Sequence, residues 1–115
     1  MKPAFEIKRT HDGKFMFNLK AANEEIVLTS QTYTTKEAAE HGVAAVKQNA
    51  SVNERYEEKT GTNGKPYFVL HAANKLVIGK SEMYSSREAM HKGMASVKKN
   101  GPIGEVVDLS AEVPA

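Results

Sequence analysis

Apolar and polar residues alternate with a period of two through Phe15-Met16-Phe17-Asn18-Leu19-Lys20-Ala21 and again through Tyr67-Phe68-Val69-Leu70-His71-Ala72. Alternation of this kind marks a strand with one buried face. Phe17, Leu19 and Ala21, with their counterparts Phe68, Leu70 and Ala72, define that face. A turn signal precedes each run, His11-Asp12-Gly13-Lys14 or Thr62-Asn63-Gly64-Lys65, in which Asx-Gly supplies the positive φ of a tight hairpin. Before each turn lies a shorter strand candidate, Phe5–Arg9 or Tyr56–Thr60. After each long strand, a second turn leads to a third strand, Ile26–Gln31 or Val77–Glu82. Asn23 and Asn74 are expected to hold the left-handed position of that second turn.

The period then changes to that of a helix. Thr34-Thr35-Lys36-Glu37 and Ser85-Ser86-Arg87-Glu88 read as capping boxes, in which a hydroxyl and a glutamate satisfy the first free N–H groups reciprocally. Tyr33 or Tyr84, one place ahead, would staple against Ala38 or Ala89. The helices are predicted to run to Asn49 and Asn100, with Gly101 and Pro102 stopping the second. Ala38, Gly42, Val46 and Ala89, Gly93, Val97 form their inner stripes. Glycine in mid-helix costs about 0.8–1 kcal/mol against alanine. Its presence in both helices predicts a backbone lying very close to the sheet, with Phe17 and Phe68 filling the space above it.

The same elements thus occur twice in the same order. An offset of 51 lays Phe5–Ala50 on Tyr56–Gly101 without a gap, with roughly 18 of 46 positions identical. About 50 residues per copy are too few to bury a good core, so the two copies must share one. A last strand candidate, about 104–109, falls by the same offset on the segment around Tyr56, which must therefore end one copy as it begins the next. The expected fold is α+β: a tandem pseudo-twofold repeat of β3-αβ units in one antiparallel sheet of about seven or eight strands, with both helices on one face. The whole chain, 1–115, is one domain, with repeats at about 5–50 and 56–101 and a frayed tail at 110–115.

Composition narrows the chemistry. There is no Cys, which removes disulfides, thiol nucleophiles and thiolate metal sites. No apolar run approaches the roughly 18 residues of a membrane span. Met1-Lys2-Pro3-Ala4-Phe5 leads directly into strand-like sequence without the pattern of a secretory signal, so the expected compartment is the cytoplasm. The formal net charge is +2, with acidic residues interleaved almost everywhere. A nucleic-acid binder gathers Lys and Arg on one face. Here the densest basic group, Lys98-Lys99, sits in the last turn of a helix, where it complements the macrodipole.

The Gly-Lys before each long strand, Lys20-Ala21-Ala22-Asn23 and His71-Ala72-Ala73-Asn74, the Tyr-Thr-Thr-Lys-Glu and Tyr-Ser-Ser-Arg-Glu helix starts and the closing Ala-Ala-Val-Lys and Ala-Ser-Val-Lys resemble the YegP-like family of bacterial proteins. The resemblance spans Phe5 to Gly101. It implies two β3-αβ units that pair into one sheet and exchange their C-terminal strands. It transfers no activity, substrate or catalytic residue. His71 departs from its counterpart Lys20 without functional meaning.

The sequence carries no recognisable catalytic motif. His11, His41, His71 and His91 show no i, i+3 or i, i+4 spacing on one helix, and their counterparts Thr62, Lys92, Lys20 and Glu40 keep no histidine. Gly61-Thr62-Asn63-Gly64-Lys65 is too short for a phosphate loop and precedes a strand. Glu37 and Glu88 have capping work to do rather than proton transfer. The expectation is no catalytic residue, cofactor or metal.

The remaining candidate is the outer face of the sheet. Met16, Asn18, Lys20, Tyr67, Val69 and His71 should point away from the helices, with Ile78, Val27 and Leu76 beside them. That mixture fits docking of a protein partner or a weak homodimer, in a chain otherwise expected to be a monomer. An enzyme with a polar cleft between the repeats is the alternative, and a weak nucleic-acid binder, given a pI of 8.8, is a third and less favoured reading.

Overall fold

The tips of the first hairpins are set by Gly13 and Gly64, at φ 81° and 80°. In the computed structural model, which describes residues 2–111, they join β1 (Ala4–Arg9) to β2 (Phe15–Lys20) and β4 (Tyr56–Thr60) to β5 (Pro66–His71). The second turns lead to β3 (Ile26–Thr29) and β6 (Val77–Lys80). There the left-handed residues are Glu24 and Lys75, not the asparagines. Asn23 and Asn74 instead accept the N–H of Glu25 and Leu76 through their side-chain oxygens, an Asx-turn that leaves the strained position to the next residue.

Helices α1 (Lys36–Asn49) and α2 (Arg87–Asn100) start one residue later than the capping boxes predict. Thr35 Oγ1 accepts the Ala38 N–H at 3.0 Å and Ser86 Oγ accepts that of Ala89 at 3.1 Å. Backbone bonding of Tyr33 to Phe15 and of Tyr84 to Pro66 extends the sheet to the tyrosines. The chain can turn helical only beyond them. Glu37 and Glu88 therefore sit in the first turn, at the positive end of the dipole, instead of closing a box.

Tyr33 and Tyr84 also account for the mid-helix glycines. A Cβ on Gly42 or Gly93 would strike the Tyr33 or Tyr84 hydroxyl. The tyrosine ring lies parallel to Phe17 or Phe68, with centroids 6.3 Å apart in both copies. The tyrosine, more than the phenylalanine, fills the space above the glycine. The buried helix residues are Ala39, Gly42, Val43, Val46 and Asn49 in α1 and Met90, Met94, Val97 and Asn100 in α2. The stripe is thus rotated relative to the expected one, and Ala38 and Ala89 lie only at its margin.

One seven-stranded sheet results, in the order β4-β5-β6-β3-β2-β1-β7, where β7 is Glu105–Asp108. Both helices pack on the same core, α1 over β2, β1 and β6, α2 over β3 and β5. Every pairing is antiparallel except the last, since β7 runs parallel to β1. The sheet is therefore mixed. The second repeat ends against the first, and the first ends in β4 against the second, as an exchange of C-terminal strands requires.

The tail stays ordered further than expected. Leu109 donates its N–H to Ile7 O, and Ser110 is buried, bonding Asp108 Oδ1 through both its N–H and its hydroxyl. Residues 112–115 lie outside the described range. The Ser110 hydroxyl, then Lys36 Nζ at 2.9 Å, holds the Asp108 carboxyl down to about 2. With an unfolded carboxylate near 3.9, the stabilisation from this group is complete above about pH 4 and is lost as pH falls through 2. Ser110→Ala is expected to raise the Asp108 midpoint, read from its carboxyl ¹³C shift. An unmoved midpoint would show that the hydroxyl does not set it.

Candidate functional site

A twofold axis through a sheet must pair a strand with its own counterpart. Here that pair is β3 and β6, joined at Thr29↔Lys80, two residues separated by the repeat offset. They share this single bridge, and a cleft of about 410 Å³ opens where they part. Its walls are five symmetry-related pairs: Ile26 and Val77, Leu28 and Gly79, Thr29 and Lys80, Ser30 and Ser81, Gln31 and Glu82. The cleft belongs to neither repeat alone.

The halves are not copies at this axis. Leu28 and Gly79 lie opposite Leu19 and Leu70, on the inner face. A Cβ at Gly79 would come 2.5 Å from Leu28 Cδ2, so one leucine fills the place of two. The same device recurs where the helices end, since a Cβ at Gly101 would lie 2.6 Å from that of its counterpart Ala50. Side chains related by a twofold collide on the axis. The chain resolves each collision by giving one repeat a glycine.

Local bonding shapes the cleft. Ser30 Oγ accepts the Phe17 N–H at 2.9 Å and donates to Gln31 O at 2.7 Å; Ser81 repeats both bonds with Phe68 and Glu82. These serines turn the chain off the strand and end the β3–β6 ladder early. Ile26 and Val77 pair with Lys20 and His71 across bulges and stay 42% and 40% exposed, with Leu76 at 64%. An apolar floor is thus bordered by Thr29, Lys80, Gln31 and Glu82, uncharged in the first repeat and charged in the second.

The residues expected to form a docking face fare differently. Ile78 is 7% exposed and joins the core, as does Val27 at 6%. Each is the extra residue of a β-bulge, which changes the alternation and turns it inward. Asn18 and Val69 are on the outer face but buried: Asn18 donates to Thr29 Oγ1, and Val69 lies between Glu57 and Lys80. Met16, Lys20, Tyr67 and His71 are half-buried. Lys20 pairs with Glu6 at 3.3 Å, Lys80 lies 5.0 Å above the Tyr67 ring, and His71 bridges Glu57 and Lys75 O. The middle of the face is sealed by its own contacts, and Ile26 and Val77 bring exposed apolar surface to the seam. Sequence reasoning missed Ile26 and Val77 as a pair. The legible signal was two apolar residues at matching positions opening the strands nearest the axis.

The displaced titratable groups have structural causes. Burial pushes the phenols of Tyr33, Tyr56 and Tyr84 up, and the Tyr56 hydroxyl donates to Ala50 O. The Thr10 hydroxyl lowers Asp12, and His91 followed by Arg87 lowers Glu58. Among the described residues, no group of three or more His, Asp or Glu side chains is placed to hold a metal, and no helix is long and apolar enough to cross a membrane.

Fold and seam together define an α+β tandem-repeat domain with its cleft on the repeat axis. The family described as a domain of unknown function (DUF1508) matches residues 11–57 and again 62–108, and the chain belongs to it, carrying two such domains in tandem. UPF0339 protein YegP of Escherichia coli strain K12 is 49% identical over 104 residues, covering 90% of this chain and 94% of that protein. UPF0339 protein ACIAD0721 of Acinetobacter baylyi is 48% identical, covering 92% and 96%. Two solution NMR structures share the fold: UPF0339 protein SO3888 from Shewanella oneidensis (TM-score 0.90, 41% identity, 97% and 95% covered) and the E. coli protein of unknown function yegP (0.92, 46%, 98% and 97%). The resemblance read from the repeats is therefore the true family, and none of these names assigns an activity.

Proposed function

We propose that the chain is a non-catalytic binding module whose contact surface is the seam cleft, taking apolar side chains of a protein partner. The observation that carries this is the pairing of Ile26 and Val77, exposed on either side of an apolar cleft that both repeats build. An apolar centre inside a polar rim is the anatomy of an interface. A polar cleft between the repeats would favour an enzyme, with acids and bases converging on one point. This cleft offers apolar side chains, hydroxyls, the Gln31 amide, and a single acid and a single base, Glu82 and Lys80, and the lysine rests on Tyr67.

The probe is 8-anilinonaphthalene-1-sulfonate, followed in ¹H–¹⁵N spectra. Amides of 26–31 and 77–82 are expected to shift, and Ile26→Ser with Val77→Ser should abolish the shifts. Because both side chains are already well exposed, the pair should cost no more than about 1 kcal/mol of stability. Shifts centred on another surface, or unchanged binding in the double variant, would contradict the assignment.

A further inference from the structure

β1 and β4 are the same strand of the repeat, and each is antiparallel to the strand that follows it. They differ on their outer sides. β1 is covered by β7 in parallel, with Phe5↔Val106 and Ile7↔Asp108. Moved back by the repeat offset, β7 falls on residues 54–57, which run into β4 itself. The first repeat has no strand left for that place, and among the described residues nothing pairs with the outer edge of β4. A row of free N–H and C=O groups is a template for strand addition. β7 on β1 shows which strand fits such an edge: a parallel one with this chain's own C-terminal sequence.

The sharpest difference between the two edges is at one inward-facing position. Ile7 is fully buried, whereas its counterpart Glu58 is exposed and reaches across to α2. Arg87 Nη2 donates to one Glu58 oxygen at 3.1 Å, and His91 Nε2 lies 3.0 Å from the other. Lys36, the counterpart of Arg87, pairs with Asp108 of β7 instead. Glu58 thus gives the bare edge the carboxylate that the added strand gives the covered one. A β7 arriving on β4 in the same register would set its Asp108 opposite Glu58, acid against acid, and would compete for Arg87. A charge on an edge strand that reaches inward is a recognised guard against unwanted pairing.

We propose that the outer edge of β4 is a strand-addition surface for β7 of a second copy of this chain, and that the contacts of Glu58 with Arg87 and His91 hold it closed. The test uses the full chain, wild type and with Glu58→Ile, which restores the residue of the covered edge, titrated with a fluorescein-labelled peptide of residues 103–110. Anisotropy should show binding to E58I at least about tenfold tighter than to wild type. Amide shifts should fall on Tyr56–Thr60, and in sedimentation E58I should move from monomer towards dimer and be returned to monomer by excess peptide. Equal binding by the two chains overturns the proposal, as does E58I association that the peptide does not reverse. Glu58→Thr removes the charge while keeping a strand-forming side chain, so it tests the same point if E58I folds poorly. Binding by E58T no tighter than by wild type also overturns it.

Discussion

Replacing Phe68 with alanine is expected to remove about 3–5 kcal/mol of stability, a large share of the roughly 5–15 kcal/mol typical of a small domain. Phe68 is fully buried, its ring tilted against Tyr56 at 5.7 Å and parallel to Tyr84 at 6.3 Å. Tyr84 in turn rests on the α2 backbone at Gly93. Truncation would leave a cavity between three elements that cannot collapse together, since strand bonding holds β4 and β5 at fixed spacing. The urea midpoint should drop sharply with an unchanged slope. Tyr67→Ser, one residue away on the other face, should cost far less, because it loses a half-exposed ring and its contact with Lys80. Equal losses for the two variants would mean that the sheet faces are wrongly assigned.

The repeat made most of this fold legible. Period-two runs located β2 and β5, and paired helix starts located α1 and α2, because each signal is local and was written twice. Three features escaped because they depend on what lies across the chain. The bulges beside Leu19 and Leu70 turned Val27 and Ile78 inward, and alternation counted along a single strand cannot register an extra residue. The parallel sense of β7 follows from where α2 delivers the chain, at the far edge of the sheet beyond β1. The caps at Thr35 and Ser86 moved by one place because strand bonding at Tyr33 and Tyr84 decided between two adjacent hydroxyls.

The candidate site was legible only in outline. An exposed face of β2 and β5 was correct for Asn18 and Val69 in direction but not in exposure, since the long neighbours Glu57 and Lys80 lie directly beside Val69. The seam itself leaves its mark where the copies differ. Leu28 against Gly79, and Ala50 against Gly101, read in sequence as ordinary divergence. In the fold each is a collision on the axis, resolved by a glycine.

These exchanges have made the two repeats complementary halves rather than equivalent ones, and that is the claim on which the shared core and the seam both rest. A homodimer of the first repeat would set Leu28 against Leu28, and one of the second would leave a gap between Gly79 and Gly79. The direct measurement is to prepare residues 1–53 and 54–115 separately and mix them, following sedimentation and ¹H–¹⁵N spectra. Each half alone is expected to be largely unfolded, because about 50–60 residues without the other copy cannot bury the core. The equimolar mixture should form a one-to-one complex with the spectrum of the intact chain, including the amides of 26–31 and 77–82. A stable folded monomer of residues 1–53, or a homodimer of it as stable as the mixed complex, would contradict the account.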